Sequence, residues 1–169
     1  TVVNRLSSPL AVHWHGMEIE SWFDGVGGWS GAGRSVRPPI APGDSFIVRM
    51  TPPRAGTFIY HTHDEAGSEL STGLYGALIV EEPAAPRDTT RDHVIVMGML
   101  GESRKWTLAV NGRTDATPLT LTPGTHRLRF VSIPVDEVIR VAFVRDTVVQ
   151  RWRSVATDGA ELPAAQRRE

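Results

Sequence analysis

The sequence predicts an all-β protein, a sandwich or barrel of short strands. Two observations carry that reading. Glycine (16) and proline (12) recur throughout the 169 residues and punctuate brief runs of β-branched and apolar residues. No long segment repeats its apolar residues at helical spacing.

Taken in order, residues 1–6 (TVVNRL) read as a strand, 7–9 (SSP) as a turn and 10–15 as the next strand, which Gly16 ends. Residues 24–33 (DGVGGWSGAG) form a glycine-rich loop, and 38–44 (PPIAPGD) a turn. Residues 45–50 (SFIVRM) alternate as a strand, 51–56 (TPPRAG) turn, and 57–63 (TFIYHTH) make another strand. A polar loop at 64–72 precedes 73–80 (GLYGALIV), read as a fully buried strand. Residues 81–92 (EEPAAPRDTTRD) are polar, contain two prolines and have no period, as expected of an interdomain linker. Further strands are expected at 93–99, 107–110, 125–131, 138–143 and 151–156, with turns at Asn111-Gly112, Pro123-Gly124 and Asp158-Gly159. The expected organisation is a first domain at 1–83, a linker at 84–92 and a second, partial domain at 93–169. No tandem repeat is visible.

Composition narrows the function. Apolar residues are 40% of the chain, enough for a packed core, and the net charge of −1 supplies no basic field for nucleic acid or a membrane surface. Runs such as 77–80 are far too short to span a bilayer. There is no cysteine, so any metal must be held by histidine, carboxylate, methionine or water. The chain opens on Thr1-Val2-Val3-Asn4, without an initiator methionine or a signal segment, as expected of a mature domain or a piece of a longer protein.

The chemistry sits in two His-x-His triplets, His13-Trp14-His15 and His61-Thr62-His63, each inside a strand-like run. Side chains alternate along a strand, so both histidines of a triplet point the same way, with Cα atoms about 6.5–7 Å apart. That span lets two imidazoles meet on one metal ion or straddle two. If the strands are neighbours, four imidazoles share one pocket. Imidazole suits copper, zinc, iron and nickel, and copper(II) heads the divalent affinity order. Clustered, buried imidazoles with no partner would only cost desolvation. Trp14, Tyr60 and Thr62 fall on the opposite face and are expected to pack, as are Leu74 and Tyr75. His93 and His126, at a strand start and beside a Pro-Gly turn, are expected to be structural or surface residues. Asp64 and Glu65 follow the second triplet and could orient imidazoles, although solvated loop charges are the simpler expectation. Asp24 lies in an Asp-Gly pair, a common turn composition.

Taken together, His13-Trp14-His15-Gly16, Asp24-Gly25, residues 42–46 (PGDSF), 55–63 (AGTFIYHTH) and 73–80 (GLYGALIV) resemble the first cupredoxin domain of a multicopper oxidase. Laccases, ascorbate oxidases and bilirubin-oxidase-like enzymes belong to that family. Residues from Val94 on, with Val110-Asn111-Gly112 and 152–163 (WRSVATDGAELP), resemble more loosely the start of its second domain. The resemblance implies a cupredoxin-like Greek-key β-sandwich followed by a partial second sandwich, in a copper-dependent oxidoreductase. It implies that His13 binds a type 2 copper, and that His15, His61 and His63 bind a type 3 pair in a cluster that reduces dioxygen to water. It gives Asp24 the part of a carboxylate that assists proton delivery.

The departures from the family are equally informative. Its last domain provides the remaining cluster histidines and the cysteine of the type 1 copper, and none of these is found here. The resemblance therefore implies a C-terminal cupredoxin domain, of the same chain or a neighbouring subunit, as partner. Dioxygen and a small reducing substrate complete the set, and this piece is expected to be inactive alone. It also implies a first domain without its opening strands, a second that breaks off, and a secreted or periplasmic location. Two rival readings stand beside it: a non-catalytic cupredoxin-type module that stores or hands on copper, and a mononuclear zinc or iron site on another β scaffold.

Overall fold

A computed structural model describes residues 1–63, 70–102, 105–134 and 137–167. Its regular secondary structure is almost wholly strand. In chain order they are β1 (Val2–Val3), β2 (Val12–His15), a single helical turn α1 (Ser21–Asp24), β3 (Gly31–Ala32), β4 (Ser35–Val36), β5 (Ser45–Phe46), β6 (Gly56–Thr62) and β7 (Tyr75–Val80). There follow β8 (Asp92–Glu102), β9 (Lys105–Val110), β10 (Arg127–Ser132), β11 (Phe143–Arg145), β12 (Val148–Gln150), β13 (Ala156–Thr157) and β14 (Ala160–Glu161). Among the described residues no helix is long and apolar enough to cross a membrane.

Two three-stranded sheets dominate. In the first, β6 is central and antiparallel to both β2 and β7. Its sequence, GTFIYHT, is rich in β-branched and aromatic residues that suit a half-buried pleated surface. Its core consists of Leu10, Ala11, Met17, Ile40 and Phe58, with Phe58 almost fully enclosed. The buried Asn4 side chain closes the top of this core by donating to the carbonyls of Ser8 and Ile40, both at 2.8 Å, and accepting from the Leu6 N–H. In the second sheet β8 is central, antiparallel to β9 and parallel to β10. Met97, Ala109, Val131 and Ile133 form its buried part.

The two sheets are tied by specific contacts. Arg129 of β10 makes a two-pronged bond to Asp92, at 2.7 and 2.6 Å, and also donates to the Thr57 hydroxyl on β6 at 2.7 Å. Tyr75 of β7 donates to the Met99 carbonyl, and its ring lies so close over Gly98 that a Cβ there would sit 1.9 Å from the hydroxyl. The turn at Gly159 packs on Gly56, where Arg54 donates to the Gly159 carbonyl.

Several elements differ from the sequence expectation, for local reasons. The strand expected at 1–6 stops at Val3, because Asn4 turns its amide inward and bonds its backbone to residues 43 and 44. The strand expected at 45–50 is reduced to the two residues of β5, which pair only with β1. Residues 138–142 form no strand; β11 and β12 instead make a hairpin around Asp146, which adopts φ 57°. Residues 151–155 are likewise irregular, and a strand begins only at Ala156. The glycine-rich loop holds α1 and the β3–β4 hairpin. Residues 81–91 are folded back locally: Glu82 bridges to Ala85, Arg87 pairs with Glu81, and Asp92 already begins β8.

Candidate metal centre

The register of β2 on β6 builds the site. His13 lies directly opposite His61, and Trp14 opposite Tyr60. Because side chains alternate, the histidines share one face while Trp14 and Tyr60 pair on the other, ring centres 6.2 Å apart. Past the end of β6 the His63 N–H donates to the Ala11 carbonyl at 2.9 Å, which extends the ladder and keeps His63 beside the others. The five closest ring pairs among His13, His15, His61 and His63 have centres 5.4–6.1 Å apart. All four histidines singled out in the sequence are thus brought together. One ring nitrogen from each of His13, His15 and His61 lies within 4.8 Å of the others.

Backbone carbonyls set the chemistry of two of these rings. His13 Nδ1 sits 3.1 Å from the Asp24 carbonyl, and His61 Nδ1 sits 2.7 Å from that of Thr62. A carbonyl only accepts, so each Nδ1 carries the proton and each Nε2 presents its lone pair. This is how ligating imidazoles are commonly oriented from behind. His61 Nε2 then lies 3.4 Å from His15 Nδ1. Burial pushes the His61 imidazole below its ordinary titration range; the Thr62 carbonyl opposes this, and the neighbouring His13, His15 and His63 add to it. A neutral ring is the form that binds metal.

Asp24 reaches the site through a close backbone approach. It ends α1, and the following Gly25 adopts φ 93° against β2. A Cβ at Gly25 would lie 1.8 Å from the Val12 carbonyl oxygen, so only glycine lets the loop come this near. The result places the Asp24 carboxylate 3.4 Å from His13 Nδ1, beside its carbonyl. Ser30 holds the other carboxylate oxygen at 3.2 Å and itself accepts from the Val26 N–H. Ser30 and the two carbonyls were not legible in the sequence, since each depends on where the chain turns back. Asp64 and Glu65 lie outside the described residues.

The opposite face is apolar. Trp14, Tyr60, Leu74 and Tyr75 line a cavity of about 390 Å³ there, away from the imidazoles. His13 and His61 are half-buried, whereas His15 and His63 are exposed, so the cluster opens outward.

The donor set fits a borderline first-row metal. It is all imidazole nitrogen, with Nε2 of His13 and of His61 left unprotonated. Two nitrogens about 2.0–2.1 Å from one ion at a tetrahedral angle stand about 3.3–3.4 Å apart, the spacing found between His15 and His61. A β fold whose neighbouring strands carry a histidine-only cluster has the donor set of a nitrogen-ligated metal site.

Comparison with known proteins sharpens this. The sequence profile of the multicopper oxidase family matches residues 1–85. A multicopper oxidase of Talaromyces pinophilus is 43% identical over 79 residues, 46% of this chain and 12% of that protein. Copper resistance protein A of Escherichia coli is 35% identical over 98 residues, 57% of this chain and 15% of that one. The crystal structure of a blue copper oxidase from Nitrosomonas europaea superposes with a TM-score of 0.61 at 26% identity, covering 78% of this chain and 46% of that chain. The matched region spans 12% and 15% of these two sequence relatives and less than half of the solved chain. The chain belongs to the multicopper oxidase family, copper-dependent oxidoreductases of cupredoxin fold.

Proposed function

We propose that His13, His15, His61 and His63 supply four of the histidine ligands of a trinuclear copper centre that reduces dioxygen to water. His13 serves the type 2 copper, and His15, His61 and His63 serve the type 3 pair. The observation that carries this reading is the convergence of four rings from two adjacent strands, two of them with lone pairs fixed by backbone carbonyls. Copper bound there supplies the one-electron chemistry that imidazoles and carboxylates lack. The chain's own residues orient and protonate. The Asp24 carbonyl holds the His13 ring in place, and the Asp24 carboxylate, 3.4 Å from His13 Nδ1, assists proton delivery to oxygen reduction. Ser30 keeps that carboxylate aimed at the ring.

His15 and His63 are exposed, which supports completion of the centre by a second surface, a C-terminal cupredoxin domain of the same chain or a neighbouring subunit. The chain has no cysteine and so offers no thiolate for a type 1 copper. Electrons from a small reducing substrate enter through that partner domain, and residues 1–169 alone are catalytically silent. The proposed domains are 1–83 and 93–169, joined by 84–92, in a secreted or periplasmic enzyme.

The test joins this chain to a cupredoxin domain carrying the cysteine and the remaining histidines. Oxygen uptake coupled to oxidation of a phenolic dye is expected, and its loss in His13→Asn and His61→Asn. Copper binding without oxygen uptake in the joined protein would overturn the reading in favour of a copper-carrying module.

A further inference from the structure

His93, in β8, and His126, just before β10, form a second imidazole contact on the other sheet. His93 Nε2 lies 3.1 Å from His126 Nδ1, with the rings stacked at 5.3 Å. The parallel register, Arg127 opposite Asp92 and Leu128 opposite His93, brings these two residues together from 33 positions apart. His126 Nε2 lies 2.8 Å from the Thr122 carbonyl. That nitrogen must therefore carry the proton, which leaves the Nδ1 lone pair aimed at His93. The arrangement repeats the device seen at His13 and His61: a backbone carbonyl behind the ring, a lone pair in front.

We infer that His93 and His126 form an accessory site for one borderline divalent cation, copper(II) or zinc(II), separate from the four-histidine cluster. Two imidazole nitrogens on adjacent positions of one ion, each about 2.0–2.1 Å from it, stand between about 2.8 Å at a right angle and about 3.4 Å at a tetrahedral one. The observed 3.1 Å falls inside that window. Without metal, one proton on His93 Nε2 bridges the two nitrogens. On cation binding His93 changes tautomer: Nε2 gives up that proton to solvent and bonds the cation, while Nδ1 takes one up from solvent, so both rings remain neutral ligands and no net proton is released. Asp88, on the turn that leads into β8, places a carboxylate within electrostatic range. Its carboxyl is held below the ordinary range chiefly by Thr90, with smaller help from Arg91 and His126. Arg91 works against the cation, since its guanidinium reaches the Pro123 carbonyl on the same turn as Thr122. Both rings are only half-buried, so water can fill the remaining coordination positions.

The experiment titrates zinc chloride into ¹⁵N-labelled chain in which His13, His15, His61 and His63 are each replaced by asparagine. One equivalent of zinc is expected, with the His93 Nε2 and His126 Nδ1 resonances moving together. Adding His93→Asn or His126→Asn should abolish that binding. No zinc bound, or zinc bound with those two resonances unmoved, would overturn the site. If the four-fold variant fails to fold, the unsubstituted chain and its His93→Asn variant are titrated side by side: one zinc fewer bound by the variant is expected, and equal binding would overturn the site. The result is independent of whether the first cluster reduces oxygen.

Discussion

Replacing Gly25 by alanine tests how the loop carrying Asp24 is held against the metal-binding strand. The added Cβ would sit 1.8 Å from the Val12 carbonyl oxygen and 2.9 Å from its carbon, both backbone atoms that cannot swing aside. The residue must also keep φ 93°. Left-handed strain costs an L-residue about 1–2 kcal/mol, and forcing backbone apart adds about 1–3 kcal/mol. A total of roughly 3 kcal/mol lowers Tm by about 6–12 °C for a chain of this size. Because the displaced loop carries the carbonyl behind His13, copper affinity should fall about 10–100-fold, the usual cost of losing such a partner. Gly28→Ala is the control: it has φ 82° but nothing within 4 Å of its Cβ, so it meets only the strain. Thermal unfolding by circular dichroism and copper titration read the two effects. Equal Tm losses for the two variants, or unchanged copper affinity in Gly25→Ala, would refute the close-approach argument.

Other outcomes follow from the same geometry. Asp92→Asn leaves the mostly buried Arg129 without its two-pronged partner and should cost roughly 2–4 kcal/mol, read as a fall in urea midpoint. Ser30→Ala removes one hydrogen bond to Asp24 and one from Val26, and should cost about 1 kcal/mol with the fold intact by circular dichroism. The folded metal-free chain binds a proton at His61 less readily than the unfolded chain. The stability this residue contributes is therefore full above the ordinary histidine range and is lost as pH falls through it towards the lowered folded value. His61→Asn should flatten the dependence of Tm on pH across that interval.

How much of this could be read from residues alone depended on the range of the interaction. The His-x-His triplets were legible because alternation along a strand is local: knowing that His13 and His15 share a face needs no tertiary information. That His13 sits opposite His61 follows only once β2 pairs with β6, a pairing the sequence left as a condition and gave no register for. The carbonyls behind His13 and His61 were invisible, because a backbone atom leaves no residue-type signal. The one trace was Gly25, which reads equally well as an ordinary turn glycine. The β11–β12 hairpin was missed although Asp146 was visible as a residue that tolerates positive φ. The apolar run before it looked continuous with a strand. The contact of His93 with His126 depends on a parallel pairing that brings distant segments together, and no periodicity announces it.

The central claim is that the four clustered imidazoles form one metal pocket. X-ray absorption at the copper edge of the copper-loaded chain tests it most directly. The account predicts a first shell of imidazole nitrogens at about 2 Å, with outer-ring scattering that shrinks in His13→Asn and His61→Asn. An oxygen-only shell, or a spectrum that those substitutions leave unchanged, would contradict it.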